Sequence, residues 1–267
     1  ILNNIIDINY KKGMGITGIT DEFFSLYLTE LQKKTSKNIL VVVNSLYEAN
    51  KIMFSLDSYT PNNYLFPMDD FLTSEAIAIS PDLEINRLET LNATFLNDKK
   101  IVVTNLMGYL RFLPEKKLYQ DAILNINKGF TIEPKDLVKS LDKLGYKKES
   151  IVTKTGEFGI RGYVIDVYPL GEDNPVRIEF FGDEIDSIRY FNPNNQRSIK
   201  EINSIEIRPI SEFICSLDEE IVKSQKYLPD YINCVNITKY LDDCIVIYKD
   251  YSQLEISYKQ IIQEVLD

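Results

Sequence analysis

An uninterrupted run of apolar residues, Ile39 to Val43, places the strongest constraint on how this chain can fold. A strand without polar alternation is typical of a parallel sheet that is buried on both faces. Amphipathic helices are expected near Asp21, Leu46 and Asp82, and further strands at 64–66 and 101–104. Asp21 is the expected N-cap of the first helix. This alternation predicts an open, parallel α/β domain over residues 1–118.

The pattern changes at about residue 119. One helix is expected from Pro134 to Leu144, with Gly145 as its C-cap. Strands are then expected at 150–155, 157–168, 175–181, 184–191 and 201–208. Gly182-Asp183 has the chemistry of a tight hairpin turn between two of them. Residues 119–208 therefore predict a smaller, mainly antiparallel α+β domain, and residues 209–267 return to strand-and-helix alternation.

Charge and composition exclude several classes of function. The chain carries 30 Lys+Arg against 40 Asp+Glu, a net charge of −10, which opposes a stand-alone binder of DNA, RNA or anionic membranes. It has no histidine, so histidine-based catalysis and histidine-ligated metals are excluded. The cysteines, Cys215, Cys234 and Cys244, contain no CxxC spacing and fit the thiols of a reducing compartment. We expect a cytoplasmic protein without a metal site or a membrane span.

The segment from Gly13 to Thr20 has the spacing of a phosphate-binding Walker A loop. Gly13, Gly18 and Thr20 fit the motif, but Ile19 stands where the motif requires a lysine. Two interpretations remain open: a glycine-rich turn before a helix, or a degenerate phosphate loop. Under either one, we expect no nucleotide hydrolysis and no cofactor.

Arginines concentrate in one part of the chain. Five of the seven lie between residues 161 and 208, at Arg161, Arg177, Arg189, Arg197 and Arg208. Strand periodicity places Val176, Ile178 and Phe180 on one face of a strand, and Arg177, Glu179 and Phe181 on the other. Exposed arginine beside exposed phenylalanine is typical of protein–protein hot spots. The alternative is a solvated arginine face with Phe181 covering a second small core.

These residues lie in stretches that resemble a known family. Residues 156–169, GEFGIRGYVIDVYP, resemble the "gEfxvRGgilDifP" signature of UvrB-type interaction domains, and residues 176–185 continue it. Residues 191–198, FNPNNQRS, resemble the "FdpetQRS" element of bacterial transcription-repair coupling factors. Pro67-Met68-Asp69-Asp70 also resembles the first segment of that family. The chain is similar to the N-terminal UvrB-homology module of these factors.

The resemblance implies a degenerate helicase-like parallel α/β domain interrupted by a smaller domain. Its parts would be domain 1A (1–118), domain 2 (119–208) and domain 1B (209–267). Domain 2 of the family docks UvrA and so recruits excision repair to RNA polymerase stalled at DNA damage. The UvrA contacts that carry over are Arg161, Arg177 and Phe181, and Glu179 is added with less support because it shares their face. The full family protein is an ATP-dependent DNA translocase that contacts RNA polymerase and double-stranded DNA through other domains.

Three functional hypotheses follow. The first is a non-catalytic adaptor that binds UvrA through exposed arginines, whose replacement by alanine would hardly change stability. The second is a UvrB-like excision-repair fragment that acts on DNA with UvrA, which the negative charge and Ile19 oppose. The third is an enzyme that uses paired carboxylates, Asp69-Asp70, Asp183-Glu184 or Asp242-Asp243. Adjacent carboxylates point apart on strands and helices, which opposes the third.

Overall fold

The computed structural model describes residues 11–70, 81–212, 228–230 and 232–266. The helices in these residues are α1 (Asp21–Thr35), α2 (Leu46–Leu56), α3 (Pro81–Ala93), α4 (Leu106–Tyr109), α5 (Lys116–Asp121), α6 (Pro134–Lys143) and α7 (Tyr251–Leu266). The strands are β1 (Asn38–Val43), β2 (Asn63–Phe66), β3 (Ile101–Asn105), β4 (Leu113–Pro114), β5 (Leu124–Asn127), β6 (Lys147–Lys148), β7 (Glu157–Arg161), β8 (Val164–Val167), β9 (Val176–Phe181), β10 (Glu184–Phe191), β11 (Ser198–Ile202), β12 (Ser204–Ile207), β13 (Cys234–Val235) and β14 (Cys244–Tyr248). Short 3-10 helices lie at Leu228–Asp230 and Ile237–Lys239.

The chain divides into two compact units. The first consists of residues up to Phe112 together with those from Val235 onward, and the second is Leu113–Cys234. The expected domain limits at 118/119 and 208/209 stay predictions. Residues on both sides of those limits belong to the second unit, where the hydroxyl of Tyr119 donates to the carbonyl of Pro209 at 3.2 Å.

The first unit is a parallel α/β structure, as its sequence pattern predicts. Its sheet has the strand order β14-β1-β3-β2, and every pairing is parallel. All six residues of β1 are buried, which explains the uninterrupted apolar run. The N-cap of α1 is Thr20 rather than Asp21, because the Thr20 hydroxyl accepts a hydrogen bond from the amide of Phe23. Asp21 is the first helical residue.

The second unit is built on a six-stranded sheet with the order β11-β10-β9-β8-β7-β6. Its strands are antiparallel neighbours in sequence, except that β6 runs parallel to β7. Helix α6 and the antiparallel pair β5–β12 cover one face. That face supplies the core, in which Leu137 and Leu141 of α6 pack against Ile165, Ile178 and Phe180. The opposite face of the sheet carries the arginines.

Residues 157–168, which we expected to form one strand, form a hairpin instead. Strands β7 and β8 pair through Arg161 and Val164, and the two residues between them are Gly162 and Tyr163. Gly162 has a φ of +61°, a value that a glycine at the first position of a two-residue hairpin turn readily adopts. The expected single strand at 201–208 is likewise two strands, β11 and β12.

The prediction of a strand at residues 150–155 is wrong, because the structure has no strand there. The amides of Thr153 and Lys154 donate to the carboxylate of Glu157 at 2.8 Å and 2.9 Å. Because a side chain takes these donors, this stretch does not pair as a strand. On the side of β7 away from β8, the neighbouring strand is β6, at residues 147–148.

Two further expectations concern cysteines and membranes. Cys215 lies outside the described residues, and neither Cys234 nor Cys244 forms a disulfide. Burial raises the pKa of the Cys244 thiol to about 12, so this thiol is protonated at neutral pH. Among the helices that the structure describes, none combines the length and apolar character needed to cross a membrane.

Candidate functional site

Strand β9 presents the predicted residues as its periodicity implies. Val176, Ile178 and Phe180 are buried in the core, whereas Arg177, Glu179 and Phe181 lie on the opposite face. Phe181 ends the strand and is 82% exposed. The face that the sequence assigned to partner binding is therefore a continuous face of the six-stranded sheet.

A buried carboxylate, Asp166 of β8, joins the two predicted arginines. Asp166 pairs directly with Arg177 in the antiparallel register, and its side chain is only 4% exposed. Arg177 donates from Nε to Oδ1 at 2.7 Å and from Nη2 to Oδ2 at 2.9 Å, a bidentate contact. Arg161 donates from Nη2 to the same Oδ2 at 2.5 Å. Asp166 thus fixes both guanidinium groups beside each other.

The two arginines differ in exposure. The Arg161 side chain is 51% exposed, and its remaining N–H groups have no partner within the described part of the chain. The Arg177 side chain is 14% exposed, and its guanidinium lies 4.5 Å from the ring centroid of Phe191. The hydrogen bonds that Arg177 donates to Asp166 raise the pKa of Arg177 above its usual range. The expectation that both arginines are freely exposed is therefore wrong for Arg177.

Gln196 completes the surroundings of Arg177. Its backbone carbonyl and its Oε1 accept hydrogen bonds from Arg177 at 3.5 Å and 3.3 Å. Its amide nitrogen in turn donates to the carbonyls of Pro193 and Val152, at 2.9 Å and 3.4 Å. The loop after β10 and the segment before β7 thereby close over this end of the sheet face, which explains how Asp166 becomes buried.

Glu179 takes part in a separate ion pair. Its carboxylate accepts from Arg189 of β10, with one bond of 2.9 Å from Nη1, and from the hydroxyl of Ser187 at 3.0 Å. Arg189 lies opposite Arg177, and Ser187 opposite Glu179, in the β9–β10 register. Glu179 therefore lies between Arg177 and Phe181 with its charge already compensated by a neighbouring strand.

Sequence reasoning missed four residues of this site: Asp166, Arg189, Phe191 and Gln196. The sequence did contain a signal for Asp166. In β8 the apolar residues Ile165 and Val167 face the core, and the charged Asp166 between them lies on the opposite face. A charged residue at such a position, across a hairpin from arginine, indicates a cross-strand ion pair. Gln196 could not be found this way, since a loop brings it to Arg177.

The phosphate-loop segment enters α1 with two of its three glycines in the left-handed region, Gly13 at φ +78° and Gly18 at +80°. The half-buried Ile19 packs against the core of the first unit. Asp21, in the first turn of α1, accepts a hydrogen bond from Lys51 at 2.7 Å and lies 3.4 Å from Lys249. The bond from Lys51, with Lys249, lowers the pKa of the Asp21 carboxyl. The first turn of α1 thus carries two acidic residues, Asp21 and Glu22, near the end of the helix where a phosphate would bind.

Restoring the missing lysine with Ile19→Lys should not create an ATPase, because Asp21 and Glu22 at the start of α1 repel a nucleotide phosphate. Release of inorganic phosphate from ATP measures this directly. Ile19→Met, which keeps the apolar volume, controls for the change in packing. Phosphate release that saturates with ATP in the lysine variant alone would contradict the prediction.

The paired carboxylates have separate local surroundings. Asp70 accepts from the amide of Leu46 and the side chain of Asn105, and Asp243 accepts from Lys37 at 2.7 Å. Asp183 and Glu184 follow Gly182 at the turn between β9 and β10. In the described residues, no group of three or more Asp, Glu or Cys side chains could hold a metal ion.

Comparison with known proteins places this site in a family context. Residues 124–213 match the family model described as UvrB interaction domain. The chain is 35% identical over 213 residues to the transcription-repair-coupling factor of Bacillus subtilis (strain 168), covering 79% of this chain and 18% of that protein. It is 34% identical over 220 residues to that of Staphylococcus epidermidis (strain ATCC 12228), covering 79% of this chain and 19% of that protein. It is 31% identical over 230 residues to the transcription-repair-coupling factor of Staphylococcus aureus (strain USA300), covering 84% of this chain and 19% of that protein. The chain spans about a fifth of the length of these relatives.

Proposed function

We propose that this chain, whose residues 124–213 match the UvrB interaction domain, is a non-catalytic adaptor that docks UvrA. The docking surface comprises Arg161, Arg177, Phe181 and, with a smaller contribution, Glu179. In the longer relatives, whose name couples transcription to repair, this contact would bring UvrA to RNA polymerase stalled at DNA damage. The ATP-driven translocation and the contacts with RNA polymerase and double-stranded DNA would belong to other parts of such a protein.

The observation that carries the proposal is the Arg161–Asp166–Arg177 cluster on the same sheet face as the exposed Phe181. Asp166 holds the guanidinium of Arg161 in a fixed position while half of its side chain faces solvent. A positioned arginine loses less conformational freedom on binding than a mobile one. Arginine and aromatic side chains are also the residues enriched in protein–protein hot spots. The face therefore has a charged anchor and an apolar anchor that are already oriented for a partner.

The charge of the chain favours a protein partner over DNA. A net charge of −10 gives no cationic footprint for phosphates, and Asp166 and Glu179 neutralise part of the positive charge of the arginine face. The UvrB-like alternative, in which the chain acts on DNA, predicts salt-dependent binding to a duplex. Duplex DNA is therefore titrated separately as an alternative ligand of the chain.

Calorimetric titration of the 267-residue chain with UvrA of the source organism tests the proposal. We expect saturable binding, and we expect Arg161→Ala to weaken it by about 30-fold, or about 2 kcal/mol. The melting temperature should hardly change, because Arg161 is half exposed and Asp166 keeps its bidentate contact with Arg177. No binding of UvrA by the parent chain would overturn the proposal, and binding of duplex DNA instead would support the alternative.

Lys135→Ala is the matched control for this titration. Lys135 is an exposed residue of α6, the helix that covers the other face of the same sheet. The control removes the same positive charge from the same unit, so any general electrostatic effect on UvrA binding should appear equally in both variants. We expect Lys135→Ala to bind UvrA within twofold of the parent chain.

A further inference from the structure

One end of the six-stranded sheet exposes three aromatic side chains. Phe130, Tyr163 and Phe181 are 47%, 68% and 82% exposed. Phe181 belongs to the proposed docking surface, whereas neither Phe130 nor Tyr163 has a role there. Exposed aromatic residues are costly in water when they occur together, and grouped exposed aromatic residues mark interaction sites more often than scattered ones do.

Backbone hydrogen bonds bring the three residues to the same end of neighbouring strands. The carbonyl of Tyr163 accepts from the amide of Phe180 at 2.9 Å, which sets Tyr163 beside the end of β9. On the other side, Phe181 pairs with Glu184 at the start of β10. The carbonyl of Phe130 then accepts from the amide of Ile185 at 2.9 Å, so Phe130 lies beside β10.

The resulting row runs from Phe130 past β10, β9 and β8 to Arg161 at the end of β7. Four strand spacings of about 4.8 Å give it a length of about 19 Å. Tight turns hold it in place, because Gly162 and Gly182 sit in the left-handed region at the two hairpins. The backbone of a short, hydrogen-bonded turn loses little freedom when a partner covers it.

We infer that Phe130 and Tyr163 extend the docking surface around this end of the sheet, so that UvrA contacts the whole row from Phe130 to Arg161. This inference rests on the proposed function. The row is continuous with the residues that carry that function, and it combines aromatic rings with one half-exposed guanidinium. Its complement on UvrA is an apolar surface that receives the rings, with a carboxylate at the end that faces Arg161.

The experiment is titration of UvrA with Phe130→Ser and Tyr163→Ser, each measured beside the parent chain and Arg161→Ala. We expect each serine variant to weaken binding at least tenfold, and Tyr163→Phe, which keeps the ring, to bind within threefold of the parent. Unchanged melting temperatures should accompany these losses, since all of the replaced side chains are exposed.

Ile199→Ser is the matched control. Ile199 is an exposed residue of β11, and its neighbour Ser198 pairs with Phe191, which places it at the opposite end of the sheet. This variant removes exposed apolar surface without touching the row, and should bind UvrA like the parent.

The outcomes separate the two proposals. If Arg161→Ala loses affinity while Phe130→Ser and Tyr163→Ser bind like the parent, the inference is wrong and the docking function stands. If Ile199→Ser weakens binding as much as they do, the effect is not specific to the row and the inference is also wrong. If the parent chain does not bind UvrA at all, the docking function and the inference fail together.

Discussion

Replacing Arg177 by alanine is expected to lower the free energy of unfolding by about 3 kcal/mol, because it leaves a buried carboxylate with much less compensation. Asp166 would lose both bonds of its bidentate contact and keep only the one from Arg161. The variant would also lose the stacking of the guanidinium on Phe191. Scanning calorimetry measures the loss, and hydrogen exchange in β8 and β9 assigns it to this unit.

Two further variants test whether the loss of stability in Arg177→Ala comes from the buried charge of Asp166. Arg197→Ala removes an exposed arginine of the same unit and should change the free energy of unfolding by less than about 0.5 kcal/mol. Adding Asp166→Asn to Arg177→Ala should recover part of the stability, because the uncompensated charge is then gone. If Arg177→Ala alone were as stable as the parent chain, the buried charge of Asp166 would not depend on Arg177 for its stabilisation. Reduced UvrA binding by Arg177→Ala must therefore be compared with its loss of stability.

Replacing Asn105 by leucine should cost the first unit about 3 kcal/mol, because its fully buried amide satisfies several backbone groups at once. The oxygen of Asn105 accepts from the amides of Met68 and Gly108, at 3.0 Å and 3.3 Å. Its nitrogen donates to the carbonyl of Met68 and to Asp70, each at 2.7 Å. Leucine has a similar volume and makes none of these bonds. Thermal unfolding followed by circular dichroism measures the effect.

Asn50→Leu makes the same chemical change at an exposed position of α2 and should leave stability nearly unchanged. An equal loss in both variants would contradict the role given to Asn105. The position matters because Asn105 ends β3, at the edge where parallel α/β sheets bind ligands. Here Asn105 donates to Asp70, and Asp70 accepts from the amide of Leu46 at the start of α2, so this part of the edge is filled by the chain itself.

Patterns that repeat along the chain made much of this fold predictable. The apolar run of β1 predicted a strand buried on both faces, and the alternation in β9 separated Arg177, Glu179 and Phe181 from the core. Local signals also located α6, since Pro134 lies in its first turn and Gly145, just after it, has a φ of +91°. In each case neighbouring residues alone determine the local structure.

The features that were missed depend on residues distant in sequence or on competing side-chain bonds. The hairpin at Gly162 interrupts a stretch that reads as one continuous strand. The burial of Arg177 depends on Gln196, which a loop brings from 19 residues away. Periodicity assigns a residue to a face, but it does not show whether a loop will cover that face. Exposure was therefore predicted correctly for Phe181 and wrongly for Arg177.

The pairing of β1 with β14 also determines when the sheet of the first unit can be completed during synthesis on the ribosome. Asn38 pairs with Cys244, so the partner of β1 on that side is synthesised only after the whole second unit. The second unit is one continuous segment and can complete its own sheet as it emerges, whereas the first must wait. Until β14 arrives, a growing chain holds one edge of its most apolar strand unpaired, which is a template for aggregation. Slow translation anywhere between the second unit and β14 would prolong that exposure, so we expect the growing chain to need chaperones most while residues 113–248 are synthesised.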